Sequence, residues 1–95
     1  MIRSFADKET ERVWNGERSR QLPSDVLNVS RRKLRQLDTA ERLNEMATPR
    51  GNRLEQLKDT DPPRYSIRVN DQWRICFNWD DGAADHVRIE DYHKG

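Results

Sequence analysis

Four side chains of a 95-residue sequence bear on phosphate chemistry if the fold brings them to one face: Arg68, Arg74, Arg88 and Tyr92. A guanidinium is a planar fork of donors that fits two phosphate oxygens and never deprotonates near neutrality. A tyrosine hydroxyl, ordinary pKa about 10, orients or donates a hydrogen bond unshifted, but needs nearby cations to serve as an acid or a base. Strand register decides whether the four meet. Tyr65-Ser66-Ile67-Arg68-Val69 and Gln72 to Trp79 alternate apolar and polar residues around a turn at Asn70-Asp71, the period of strands. Pairing Val69 with Trp73 sets Ile67 opposite Ile75 and Tyr65 opposite Phe77, so the apolar side chains share a face. Arg68 then lies opposite Arg74, which is unfavourable unless something anionic separates them. With Val87 and Ile89 on the apolar face, Arg88 and Tyr92 join Arg68 and Arg74 on the other. Two readings stand: acids such as Glu55 or Glu90 pair the arginines, or an external anion binds there.

Other candidates are weaker. His93 titrates near neutrality and suits acid–base work, but alternation points it away from Tyr92. His86 reads as a surface strand residue, and Cys76 as a small hydrophobe or neutral face residue with no base partner. Trp73 and Trp79 belong to the apolar face; Trp14 ends a helix, where core packing and base stacking are both open.

The elements that must hold these residues are legible in outline. Met1 to Phe5 suits a short opening strand, and Asp7 caps a helix through about Trp14, with Glu9 and Glu11 near its positive end. Asn15-Gly16 ends it. Pro23-Ser24-Asp25 opens a longer helix that turns Val26, Leu27, Val29, Leu34 and Leu37 inward and Arg31, Arg32, Lys33 and Arg35 outward. Asp38-Thr39 interrupts it and caps a short turn through Met46, and residues 48–52 form a loop. Asp80-Asp81-Gly82 turns the chain into a last strand from His86 to Tyr92. The predicted fold is α+β: an N-terminal strand and two or three helices on one face of a mainly antiparallel sheet, one domain over residues 1–95.

Hydrophobic residues are 33% and charged residues 37% of the chain, and mean hydropathy is -1.19. So polar a chain is disordered only if net charge is also high and aromatics few; the net charge here is +1, with three Trp, two Tyr and two Phe. A thin-cored folded domain is expected. A membrane span, a signal peptide, an internal disulfide and a structural zinc site all lack their sequence signatures, which makes cytoplasmic residence the expectation. Charge is unevenly placed: residues 12–68 net +5 and residues 69–95 net -3. The basic middle suits an anionic partner or a solvated helix face.

Asn70-Asp71-Gln72-Trp73-Arg74-Ile75-Cys76-Phe77, the closing Glu90-Asp91-Tyr92-His93, the opening Met1-Ile2-Arg3-Ser4-Phe5 and the central Gly51-Asn52-Arg53-Leu54-Glu55 together resemble the HigB-type toxins of the RelE superfamily, plasmid maintenance killer proteins. The resemblance covers nearly the whole chain. It implies a ribosome-dependent mRNA endoribonuclease that needs no metal or other cofactor. It also implies neutralisation by an adjacent helix-turn-helix antitoxin of HigA type, through which alone operator DNA is reached. By position it assigns catalysis to Arg74, Lys58 and Tyr92. Relatives can carry histidine where this chain has Glu55, a carboxylate that either accepts a proton or pairs with Lys58 or Arg74. Arg31, Arg32 and Arg35, with Arg50, Arg53 and Arg68, are candidates to grip RNA phosphates. A non-catalytic RNA- or protein-binding module on the same fold is the alternative. A DNA-binding repressor is disfavoured, since no helix-turn-helix signature is present.

Overall fold

In the computed structural model, which describes residues 1–92, Asp7 starts the first helix as expected. Its carboxylate accepts the Thr10 backbone amide at 2.7 Å, and α1 runs Lys8–Trp14. The longer helix, α2, runs Ser24–Thr39. It buries Val26, Leu27, Leu34 and Leu37 in one cluster with Ile67, Ile75 and Phe77. Val29 is only partly buried against that cluster. Asp38 does not interrupt the helix; its carboxylate accepts the Ile2 amide at 2.8 Å, tying the amino-terminal segment to α2. The following 3-10 turn, Leu43–Ala47, is capped instead by Glu45, which accepts the amides of Glu41 and Arg42.

Lys33 departs from the expected outward position. It is buried, and its ammonium donates to Asn52, a fully buried amide. Asn52 in turn donates to the carbonyls of Met46 and Thr48, at 3.0 and 3.2 Å. The expected loop over residues 48–52 therefore closes as a 3-10 turn, Arg50–Asn52, knotted to α2. A helical wheel alone cannot foresee this, because the partner lies nineteen residues away. Burial without an acid lowers the Lys33 pKa, and Arg32 and Arg68 push it the same way.

Among the described residues the sheet has four antiparallel strands in chain order: β1 Glu55–Gln56, β2 Arg64–Arg68, β3 Trp73–Asp80 and β4 Ala83–Asp91. The β2–β3 register is the predicted one: Tyr65 opposes Phe77, Ile67 opposes Ile75 and Arg68 opposes Arg74. β1 was not anticipated; two residues are too few to show a period, and what makes them a strand is pairing with Ser66 and Tyr65. β4 begins three residues before the expected His86. Between the Cys76–Arg88 and Asn78–Asp85 pairs the register shifts by one, with His86 at φ 53, a β-bulge. The opening segment lies parallel along β4, bridging at Ile2–Ala84 and Phe5–Val87.

One sheet face, with Trp73, Ile75, Phe77 and Trp79, packs under the two helices. The opposite face carries the candidate chemistry.

Candidate active site

Rows across the sheet place the site. Glu55, Ser66, Cys76 and Arg88 form one row, and Arg68, Arg74 and Glu90 the next. Tyr92 follows two residues after Glu90, and its backbone amide donates to the Gln72 carbonyl at 2.7 Å. The Arg74 guanidinium carbon lies 4.8 Å from the centroid of the Tyr92 ring, within cation–π range. Arg68, Arg74, Arg88 and Tyr92 thus occupy the face that strand alternation assigned them.

The acid-pairing reading also holds, with Glu90 at its centre. Glu90 accepts from Arg64 at 2.9 Å and lies 3.5 Å from Arg74 and 3.9 Å from Arg88. The Cys76 thiol donates to it at 3.4 Å. Burial pushes the Glu90 carboxyl up, but hydrogen bonds from Arg64 and Cys76, with the charges of Arg64 and Arg74, hold it below its ordinary value. Arg68 pairs instead with Asp71, and Arg88 with Asp7 at 3.3 Å. Arg64 went unread in the sequence. It is the first residue of its strand, after Pro62-Pro63, and lies outside the alternating stretch that began at Tyr65.

Arg74 is largely buried, with one donor unmet among the described residues. Its side chain is 17% exposed, and its Nε is buried without a hydrogen-bond acceptor, a state that costs about 1–3 kcal/mol when no ligand relieves it. The Ser66 hydroxyl, one row away, is likewise buried without a partner.

Tyr92 is pushed up in pKa, first by burial and then by the Glu55 charge; Arg74 and Arg68 oppose this without prevailing. The nearby cations that could have made it a base are present but outweighed. At neutral pH it is a phenol, a hydrogen-bond donor. Glu55 is exposed on the edge strand, and Lys58 is exposed just past its end. His93 lies outside the described residues.

The basic helix is not part of this face. α2 packs its apolar residues with Ile67, Ile75 and Phe77, on the other side of the sheet, although its Lys33 still feels the charge of Arg68. Arg31 donates to the carbonyls of Val13, at 3.0 Å, and Glu17, clamping the end of α1. Arg32 and Arg35 are exposed, as are Arg50 and Arg53 in the turn before β1.

Cys76 is fully buried, and burial, then the Glu90 charge, raise its pKa from 9.0 to about 12. No thiolate nucleophile forms near neutrality. The folded state holds this proton more tightly than the unfolded chain. The associated stability is therefore complete below pH about 9 and is lost as pH climbs toward 12. Urea unfolding at pH about 8 and about 11 should show the wild-type advantage over Cys76→Ala shrinking at the higher pH; a constant gap would mean that the thiol is not held in this way.

Two comparisons bear on this arrangement. A family model described as the RelE-like toxin of type II toxin-antitoxin system HigB matches residues 3–93. Toxin HigB-1 of Vibrio cholerae serotype O1 (El Tor Inaba N16961) is 39% identical over 95 residues, covering 99% of each chain. An uncharacterized protein of Haemophilus influenzae Rd is 29% identical over 87 residues, 90% of this chain and 86% of its own length.

Proposed function

Since the chain belongs to the HigB-like toxins of type II toxin–antitoxin systems, we propose that it halts translation by cutting mRNA on the ribosome, without a metal ion. The observation that carries this reading is Arg74: a nearly buried guanidinium with an unpartnered Nε, stacked on Tyr92. Attack of a ribose 2′-oxygen on the adjacent phosphorus forms a 2′,3′-cyclic phosphate and breaks the bond to the 5′-oxygen. Three tasks follow: removing the 2′-hydroxyl proton, holding charge on the phosphate oxygens, and protonating the leaving oxygen.

Arg74 takes the second task, with Lys58 adding a compact charge. Glu55 is the acceptor for the 2′-hydroxyl proton. Tyr92, a neutral phenol, donates toward the leaving oxygen. Arg50, Arg53 and Arg68 hold flanking phosphates, while Arg32 and Arg35, exposed on α2, suit ribosomal RNA. So small an enzyme offers little surface on which to hold mRNA, which is why the ribosome is the natural platform. We assign it to the cytoplasm, with a HigA-like antitoxin as its neutralising partner.

Mapping mRNA 5′ ends after brief induction tests the reaction, new ends within translated frames being the expected result. Single-turnover cleavage on programmed ribosomes tests the roles. Tyr92→Phe removes only the hydroxyl and Glu55→Gln only the charge, and each should slow cleavage about 10²-fold. If His93→Gln proves the most damaging of the three, acid–base work belongs to the histidine. Growth arrest with intact mRNA would leave a binding module.

A further inference from the structure

Glu90 is the most heavily engaged acid on the site face, and its contacts are uneven. One oxygen takes the 2.9 Å bond from Arg64 and lies 3.9 Å from Arg88; the other takes the Cys76 thiol at 3.4 Å and only the outer reach of Arg74, at 3.5 Å. Its side chain is 16% exposed. Both oxygens are occupied, so it is poorly placed to collect a substrate proton. It balances Arg74 from the side away from Arg68, since the row runs Arg68, Arg74, Glu90, while Arg68 takes Asp71 as its own counter-charge.

We infer that Glu90 is a positioning residue of this site. Anchored by Arg64, it sets the Arg74 guanidinium over Tyr92 while leaving Arg74 donors free for a substrate phosphate. The inference rests on the RNA-cleaving reading and extends it to Glu90, read in the sequence only as an acid that pairs the arginines, and to Arg64. The loose 3.5 Å contact is what such a role needs. A tight bidentate pair would occupy the fork that phosphate must enter, whereas no pair would let two opposed arginines splay.

The alternatives make opposite predictions. An acid that merely fills the phosphate's place slows the reaction while present, so its removal tightens anion binding and speeds cleavage. A positioning acid, once removed, leaves a more cationic but badly aimed site: anion binding tightens and cleavage slows. A purely structural acid loses both together with the fold.

Full-length wild type, Glu90→Gln and Glu90→Asp should be compared by single-turnover cleavage at saturating ribosomes and, with no RNA present, by sulfate titration followed calorimetrically. For Glu90→Gln the expected result is a rate lower by about tenfold or more, with sulfate bound several-fold more tightly. Glu90→Asp should recover part of the rate at unchanged sulfate affinity. A Glu90→Gln rate at or above wild type overturns the inference, as does a parallel loss of rate and sulfate binding in both variants. Should Glu90→Gln fail to fold, Glu90→Asp decides alone: a wild-type rate from the shorter acid refutes positioning. If the wild type cuts no RNA, the function proposed above falls, and sulfate affinity that does not change in Glu90→Gln removes Glu90's hold on the arginines as well.

Discussion

Replacing Arg74 with alanine should lower single-turnover cleavage about a thousandfold and relieve growth arrest, because one preorganised donor group at a developing charge is commonly worth 10²–10³ in rate. The fold should persist. Arg74 sits on the face away from the core, opposite Arg68, so its removal relieves a like-charge contact while breaking a 3.5 Å pair with Glu90. Glu90 keeps Arg64 at 2.9 Å, so no buried carboxylate is stranded. A melting temperature near wild type with cleavage gone is the expected pair of observations. Persistent cleavage in a well-folded Arg74→Ala protein would remove this arginine from the chemistry.

The largest effect on stability should come from Phe77→Ala. Phe77 is fully buried on β3, its ring 6.1 Å from Tyr65 and 6.4 Å from Trp79. Truncating a buried Phe costs about 3–5 kcal/mol. A domain of this size has about 5–15 kcal/mol in all, so one ring accounts for a large share of the margin. Urea unfolding followed by tryptophan fluorescence measures the change directly. A loss below about 1 kcal/mol would mean that the helical layer repacks into the gap, and that the core is less dependent on the sheet than its burial implies.

The sheet register was readable because the strands alternate an apolar face with a largely polar one. A slip by one residue would bury Arg68 and Arg74, so the apolar pattern admits a single pairing, and the site face follows from it. Asp7 was readable for a local reason, its cap reaching only three residues. What escaped the sequence is long-range. Lys33 looks like one more cation of a basic helix until Asn52 folds back onto it. Glu90 was legible as an acid for these arginines, but Arg64, which it binds at 2.9 Å, lies twenty-six residues away and carries no mark of it. Glu55 and Gln56 are a strand only because β2 lies beside them.

The bulge at His86 sets the phase of everything that follows it. Ala84 is buried beneath the helices, so an unbroken strand would send every second residue after it, at 86, 88, 90 and 92, into the same dry layer. The extra residue changes the parity: Val87 is buried and Ile89 packs against the core, while Arg88, Glu90 and Tyr92 emerge among the arginines. The candidate site face thus depends on a spacer with no chemistry of its own. At this position the length of the chain, more than the identity of any side chain, decides whether the carboxylate and the phenol meet the arginines or the core.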